Sequence, residues 1–198
     1  MRPFDLPCPP DLHCMELQKE DIPSLQVFFD ANPAYFLAVG GEPAGPNLAN
    51  EEFHELPPAE LSYSRTHYLA FVPSSGGEPW RAITQITRDL MADGVCHIGL
   101  FIVATARHGQ GDAQALFASI ERWALSQGVR WLRLSVVVGN AKAERFWASQ
   151  GFVELRQRHG VATGPRLNSL RVMLKPLAGA TQQEYLALVA RDRPEVSS

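Results

Sequence analysis

Between residues 67 and 174 the spacing of apolar positions switches repeatedly between the strict alternation or unbroken run of a strand and the three-and-four spacing of a helix. His67 to Val72 (HYLAFV) and Arg81 to Arg88 (RAITQITR) are rich in aromatic and β-branched residues. Pro73, Gly76, Gly77 and Pro79 punctuate the stretch between them, and together they predict a hairpin. After the turn dipeptide Asp93-Gly94, Val95 to Val103 (VCHIGLFIV) is nearly continuous in apolar character, as expected of a strand covered on both faces. Ala113, Leu116, Phe117, Ile120, Trp123 and Ala124 then recur at three and four, and Gln127-Gly128 closes the helix they define. Trp131 to Val138 (WLRLSVVV) reads as a second buried strand, which makes that helix the crossover of a βαβ unit. A short helix from Ala141 to Gln150, strands from Phe152 to about Arg158 and from Ser169 to Leu174, and a final helix within 181–191 complete the pattern.

Residues 32–66 are the least regular part of the chain. Pro33, Gly40-Gly41, Pro43, Gly45-Pro46 and Pro57-Pro58 interrupt two short helical pieces, and an excursion of that kind is expected to cover something. A length of 198 residues suits one α/β domain. Charge narrows the partners: 18 basic residues against 21 acidic ones, net −3, argue against nucleic acid, whose phosphates call for a basic patch. Apolar stretches are of strand length, short of the ~20 residues that span a bilayer. Asp5, Pro9 and Asp11 break the N-terminus, so neither membrane nor export is expected and the cytoplasm is the expected location. Cys8, Cys14 and Cys96 form no CxxC pair, which fits reduced thiols and no metal site.

Candidate chemistry sits where the central strand gives way to the long helix, at Val103-Ala104-Thr105-Ala106-Arg107-His108-Gly109-Gln110-Gly111-Asp112-Ala113. Glycines at 109 and 111 let the backbone approach a ligand, and a helix start offers unpaired amides that suit phosphate. A P-loop needs Lys-Ser or Lys-Thr after its second glycine, and none follows Gly111. A dinucleotide fingerprint needs a small residue at 114, which is Gln, and an acid after the next strand, where Gly139-Asn140 stands.

His108-Gly109-Gln110-Gly111-Asp112-Ala113 resembles instead the turn of the GNAT superfamily of N-acetyltransferases, whose pattern is Gln or Arg, two residues, Gly, one residue, then Gly or Ala. Asn140-Ala141-Lys142-Ala143-Glu144-Arg145-Phe146-Trp147-Ala148-Ser149-Gln150-Gly151-Phe152 looks like the second motif of the same superfamily. The resemblance covers 67–174 and, as a first strand and helix, 13–31. It implies a mixed, mostly antiparallel central sheet with splayed fourth and fifth strands, helices on both faces, and a single domain over 1–198 with 176–198 as a tail or helix. It also implies acetyl-CoA as cofactor, with its pantetheine on the backbone of Ile102 and Val103, its diphosphate on amides of residues 109–113, and Asn140, Phe146 and Trp147 at the thioester end. Thus Ile102, Val103, His108, Gly109, Gln110, Gly111, Asp112, Ala113, Asn140, Phe146 and Trp147 are the expected cofactor residues.

On this resemblance the chain is an acetyl-CoA-dependent N-acetyltransferase acting on a primary amine of a small molecule or peptide. The alternative is a non-catalytic acyl-CoA-binding or pantetheine-binding module. A homodimer is compatible with either. His108 replaces the usual Arg or Gln, Asp112 is expected to turn its carboxylate outward, and Trp147 stands where many relatives carry an acidic tyrosine, a role indole cannot fill. His97 is the candidate base, since an ordinary imidazole pKa of about 6.5 suits proton transfer. Residues 32–66 are the expected acceptor-side lid. Tyr35, Phe36 and Phe53 would enclose an apolar body there, and Glu51, Glu52 and Glu55 would favour a cation, with the loop from His159 to Asn168 as the other element able to set acceptor choice.

Overall fold

A computed structural model describes residues 1–77 and 79–194 and turns the periodicities into eight strands and six α-helices. In chain order these are β1 (Arg2–Pro3), β2 (Leu12–Glu16), α1 (Ile22–Ala31), α2 (Pro33–Val39), α3 (Leu48–His54), β3 (Arg65–Pro73), β4 (Ala82–Arg88), β5 (Val95–Val103), α4 (Asp112–Ser126), β6 (Trp131–Val137), α5 (Ala141–Ser149), β7 (Val153–Thr163), β8 (Arg166–Pro176) and α6 (Gln182–Leu188). The strands form one sheet in the order β1-β2-β3-β4-β5-β6-β8-β7. Among the described residues only β5 and β6 run parallel, as the α4 crossover requires, so the sheet is mixed and mostly antiparallel. No helix among the described residues is long and apolar enough to cross a membrane.

Alternation along the strands sorts side chains to two faces. Leu69 and Phe71 of β3 pack with Leu116, Phe117, Ile120 and Trp123 of α4, while Tyr68 and Ala70 pack on the other face with Leu25, Phe28 and Phe29 of α1 and Phe36 of α2. Trp131 of β6 joins a third cluster with Val172, Leu174 and Tyr185, under α6. Helices therefore cover both faces.

In β5 the alternation is interrupted. Ile86 pairs with Ile98 but Gln85 pairs with Leu100, so Gly99 is an extra residue, a β-bulge. Cys96 and Ile98 before it face α4, and so do Phe101 and Val103 after it, whereas Leu100 and Ile102 face the α1 side. A Cβ at residue 99 would lie 2.5 Å from Oε1 of Gln85, so glycine lets that side chain rest on the bulge. The ladder between β5 and β6 covers only Val95–Ile98 against Trp131–Leu134.

Two expectations about the elements change. The β7–β8 hairpin runs on to Thr163 and restarts at Arg166, so the segment from His159 to Asn168 is mostly strand rather than loop. Many of its residues are exposed on both faces, so no hydrophobic alternation marks them. Past a register shift between Arg158 and Val161 the hairpin reaches α2, where Thr163 Oγ1 and Asn168 Nδ2 donate to the Val39 carbonyl at 3.1 and 2.8 Å. The final helix ends at Leu188 and is followed by a 3-10 turn, Ala190–Asp192. Residues 195–198 of the expected tail lie outside the described residues.

Candidate functional site

Where the β5–β6 ladder stops, the two strands border a cavity of about 410 Å³. Ile98, Gly99 and Phe101 to Val103 line it from β5, and Leu134 to Val137 from β6. His108, Ala113, Lys142, Phe146 and Trp147 close it on the α4–α5 side, and Asn32, Tyr35 and Val39 on the α1–α2 side. Thr163 and Leu170 of the hairpin complete the wall. The wall of the cavity thus draws residues from the helices on both sides of the sheet.

The turn between His108 and Ala113 is built for backbone donation. Gly111 is the N-cap of α4 at φ +85°, a conformation that favours glycine, and a Cβ at Gly109 or Gly111 would meet nothing within 4 Å. Among the described residues none of the amides from Gly109 to Gln114 donates to an acceptor. That leaves an open cradle of N–H groups at the positive end of a helix, beside the cavity.

Asp112 does not turn outward. Its carboxylate accepts from Arg107 Nε at 2.8 Å and Arg81 Nη1 at 3.2 Å, and the Arg107 hydrogen bond holds it below the usual carboxylate range. This pairing cancels the charge that would oppose an anion at the turn. His108 is fixed at both ring nitrogens: Nε2 lies 3.0 Å from the Val103 carbonyl and Nδ1 2.8 Å from Lys142 Nζ. A carbonyl only accepts, so Nε2 carries the hydrogen and Nδ1 accepts from the ammonium. Gln110 is exposed and donates to the Ala106 carbonyl. Asn140 caps α5 by accepting from the Ala143 amide at 3.2 Å, and lines the cavity as well.

Phe146 and Trp147 enter the cavity wall as members of an aromatic cluster. Phe146 stacks on Phe101 with centroids 6.2 Å apart, and Trp147 meets Phe101, Phe117 and Phe152 at 5.6, 5.3 and 5.3 Å.

The other sequence-selected residues are more dispersed. His97 is not part of the cavity wall. Its Nδ1 accepts from Arg133 Nη1 at 3.2 Å, and Arg133 is held by Asp192 through Nε at 2.6 Å and Nη2 at 3.0 Å. Burial, with Arg133 beside it, pushes His97 down to about 3. On the acceptor side Tyr35 lines the cavity, and burial raises its hydroxyl well above the ordinary phenol value. Phe36 is core. Glu51 is exposed and accepts from Asn47. Glu52 is pushed up to about 7 by burial and by the charges of Glu55 and Glu51. Phe53 packs on Tyr68, with centroids 6.0 Å apart.

Sequence reasoning passed over Asn32, Gly99 and Lys142. Asn32 joins the end of α1 to the turn after β5 by accepting from the Thr105 amide at 2.6 Å. Gly99 had a signal, since a lone glycine inside an apolar strand marks a bulge or a close approach.

Comparison with known proteins identifies the family and the fold. The family model described as the acetyltransferase (GNAT) family matches residues 47–152, more than half of the chain. No curated protein matches in sequence. Among solved structures, an acetyltransferase from Thermus thermophilus is 24% identical with a TM-score of 0.62, over 84% of this chain and 97% of that one. The ribosomal-protein-S18-alanine N-acetyltransferase from Escherichia coli is 18% identical with a TM-score of 0.59, over 86% and 97%. A spermidine N-acetyltransferase from Vibrio cholerae, in complex with CoA and spermine, is 17% identical with a TM-score of 0.61, over 89% and 98%.

Proposed function

The chain belongs to the GNAT acetyltransferase family, and from that premise we propose that it transfers an acetyl group from acetyl-CoA to a primary amine inside the cavity between β5 and β6. The observation that carries this reading is the run of unpaired amides from Gly109 to Gln114 beside an apolar cavity walled by residues from both sides of the sheet. Those amides suit a diphosphate, and the empty space over Gly109 and Gly111 leaves room for it. Past the end of the β6 ladder, β5 lines the cavity at Ile102 and suits the pantetheine arm, while the Val103 carbonyl is already engaged by His108. When bound, acetyl-CoA supplies an activated acyl carbon on a thiol leaving group.

The protein's own contribution is to position and to desolvate. A free amine with pKa ~10.4 is about one part in a thousand neutral near pH 7.4. Ile98, Ile102, Val136, Phe146 and Leu170 make a wall that disfavours the ammonium form and so raises the share able to attack. His97, held at about 3 and joined to Arg133, is given no proton-transfer step. A thiol pKa of ~8.5 lets the thiolate leave near neutral pH without an acid, which fits an indole at Trp147. Tyr35 faces the acceptor from the α2 side.

The test is release of free thiol from acetyl-CoA across a panel of primary amines. Amine-dependent release is expected. Thermal stabilisation by acetyl-CoA without release for any amine would leave the second reading, a non-catalytic acyl-CoA-binding module, which Trp147 in place of an acid favours.

A further inference from the structure

Within the cavity wall one stretch of β5 is a strand edge. Ile102 pairs with Ile83 of β4, and the Ala104 amide donates to the Arg81 carbonyl. Backbone groups of successive residues in a ladder point to alternate sides. Val103, between those two, therefore turns its N–H and C=O away from β4, toward the side where the β6 ladder has stopped. A carbonyl so placed suits an extended ligand with amide N–H groups, which adds to a strand edge as another strand would. In this chain the carbonyl is taken from within. A single 3-10 turn, Thr105–Arg107, folds the chain back, and His108 donates from Nε2 to the Val103 carbonyl at 3.0 Å. Lys142, in the first turn of α5, donates its ammonium to Nδ1 of the same ring at 2.8 Å and forms no ion pair among the described residues. Val103, His108 and Lys142 all line the cavity, and His108 and Lys142 are exposed.

We propose that His108 stands in for the cofactor on β5. Its imidazole holds the Val103 carbonyl until acetyl-CoA binds, and binding is an exchange of partners. An amide N–H of the pantetheine arm replaces Nε2–H on that carbonyl, and a phosphate oxygen replaces Nδ1 as the acceptor for Lys142. The proposal rests on the acetyl-CoA reading above. Ring and arm exclude each other, because a donor 3.0 Å from the carbonyl oxygen already stands where the amide nitrogen of a neighbouring strand would stand. The exchange breaks two hydrogen bonds and makes two. It is cheap, since His108 and Lys142 are exposed and water accepts or donates whatever the ring gives up. It is also concerted in space, because the run of unpaired amides that suits the diphosphate begins at Gly109, the residue after His108. His108 thereby weakens the hold on every ligand that carries the arm, whereas Lys142 strengthens it only for those that carry phosphate.

The probes are CoA and pantetheine, titrated calorimetrically into the protein. His108→Ala is expected to bind both about fivefold more tightly than wild type, the worth of one exposed hydrogen bond. Lys142→Met is expected to bind CoA several-fold more weakly and pantetheine no more weakly. Wild type gives a reading that needs no variant: the ring-nitrogen resonances of His108 should move on addition of either probe toward those of an imidazole free in water. CoA bound by His108→Ala no more tightly than by wild type, or His108 resonances that CoA leaves unmoved, would overturn the proposal while the acetyl-CoA site stands. A gain for CoA without one for pantetheine would put the competition at the phosphates and overturn the assignment to Val103. Lys142→Met binding CoA at wild-type affinity would overturn the phosphate half of the exchange. CoA bound by neither wild type nor His108→Ala would remove the acetyl-CoA reading and this proposal together.

Discussion

At neutral pH the His97 imidazole is uncharged, because burial and Arg133 hold it near 3. An unfolded chain takes up a proton there below about pH 6.5, whereas the folded chain does not until about 3. Stability is therefore lost as pH falls through that window. His97→Gln should flatten the fall in melting temperature between pH 6.5 and 4 while leaving the pH–rate profile of acetyl transfer in place. A displaced rate profile would return His97 to the chemistry. Gly111 makes the second test at this scale. At a hundredfold excess over its dissociation constant acetyl-CoA should add about 2.7 kcal/mol, and Gly111→Val should remove that shift. Its own folding cost is on the order of 1–2 kcal/mol, since a side chain at φ +85° is strained. Gly109 and Gly111 were legible in the sequence because their need is local to the backbone. Asn32 and Lys142 were not, because each acquires its role only when chain ends far apart in sequence meet at the cavity.

Among the elements, β5, α4 and β6 were readable because each has one dominant period and a buried face. The hairpin of β7 and β8 was half hidden, since a strand exposed on both faces leaves no period to read. Within α5, Trp147 belongs to the packing of Phe101, Phe117 and Phe152 as much as to the cavity. Trp147→Tyr should accordingly cost about 1–2 kcal/mol in urea unfolding. It should raise kcat for a good amine if protonation of the departing thiolate limits the rate, since a phenol can supply that proton. An unchanged kcat would show that this proton does not limit the rate. In α3, Glu52 stays protonated in the folded chain up to about pH 7 but ionises near 4.5 when unfolded. The folded chain thus holds the extra proton between these values, and stability declines as pH rises across them. Glu52→Gln should raise the melting temperature at pH 8, with an effect on the order of 1 kcal/mol, and change little at pH 4.

At the scale of the molecule, the family match ends at residue 152, yet the chain after it is tied into the sheet. Asp192 is fully buried, pairs with Arg133 of β6 and accepts from the Tyr185 hydroxyl. Asp192→Asn leaves Arg133 buried without its counter-ion and should cost about 3–5 kcal/mol in denaturant unfolding. An effect below 1 kcal/mol would mean the tail is only laid on the surface. The bulge at Gly99 has a consequence of another kind. Odd and even positions of β5 exchange sides there because residue 99 is one more than the ladder needs. Deleting Gly99 removes no side chain and would leave Leu100 following Ile98 in unbroken alternation, with Phe101 and Val103 still toward α4 and Leu100 and Ile102 toward α1. The bulge is therefore not what sorts the strand between its two cores, and its loss should register in the wall of the cavity that Gly99 lines rather than in the melting temperature.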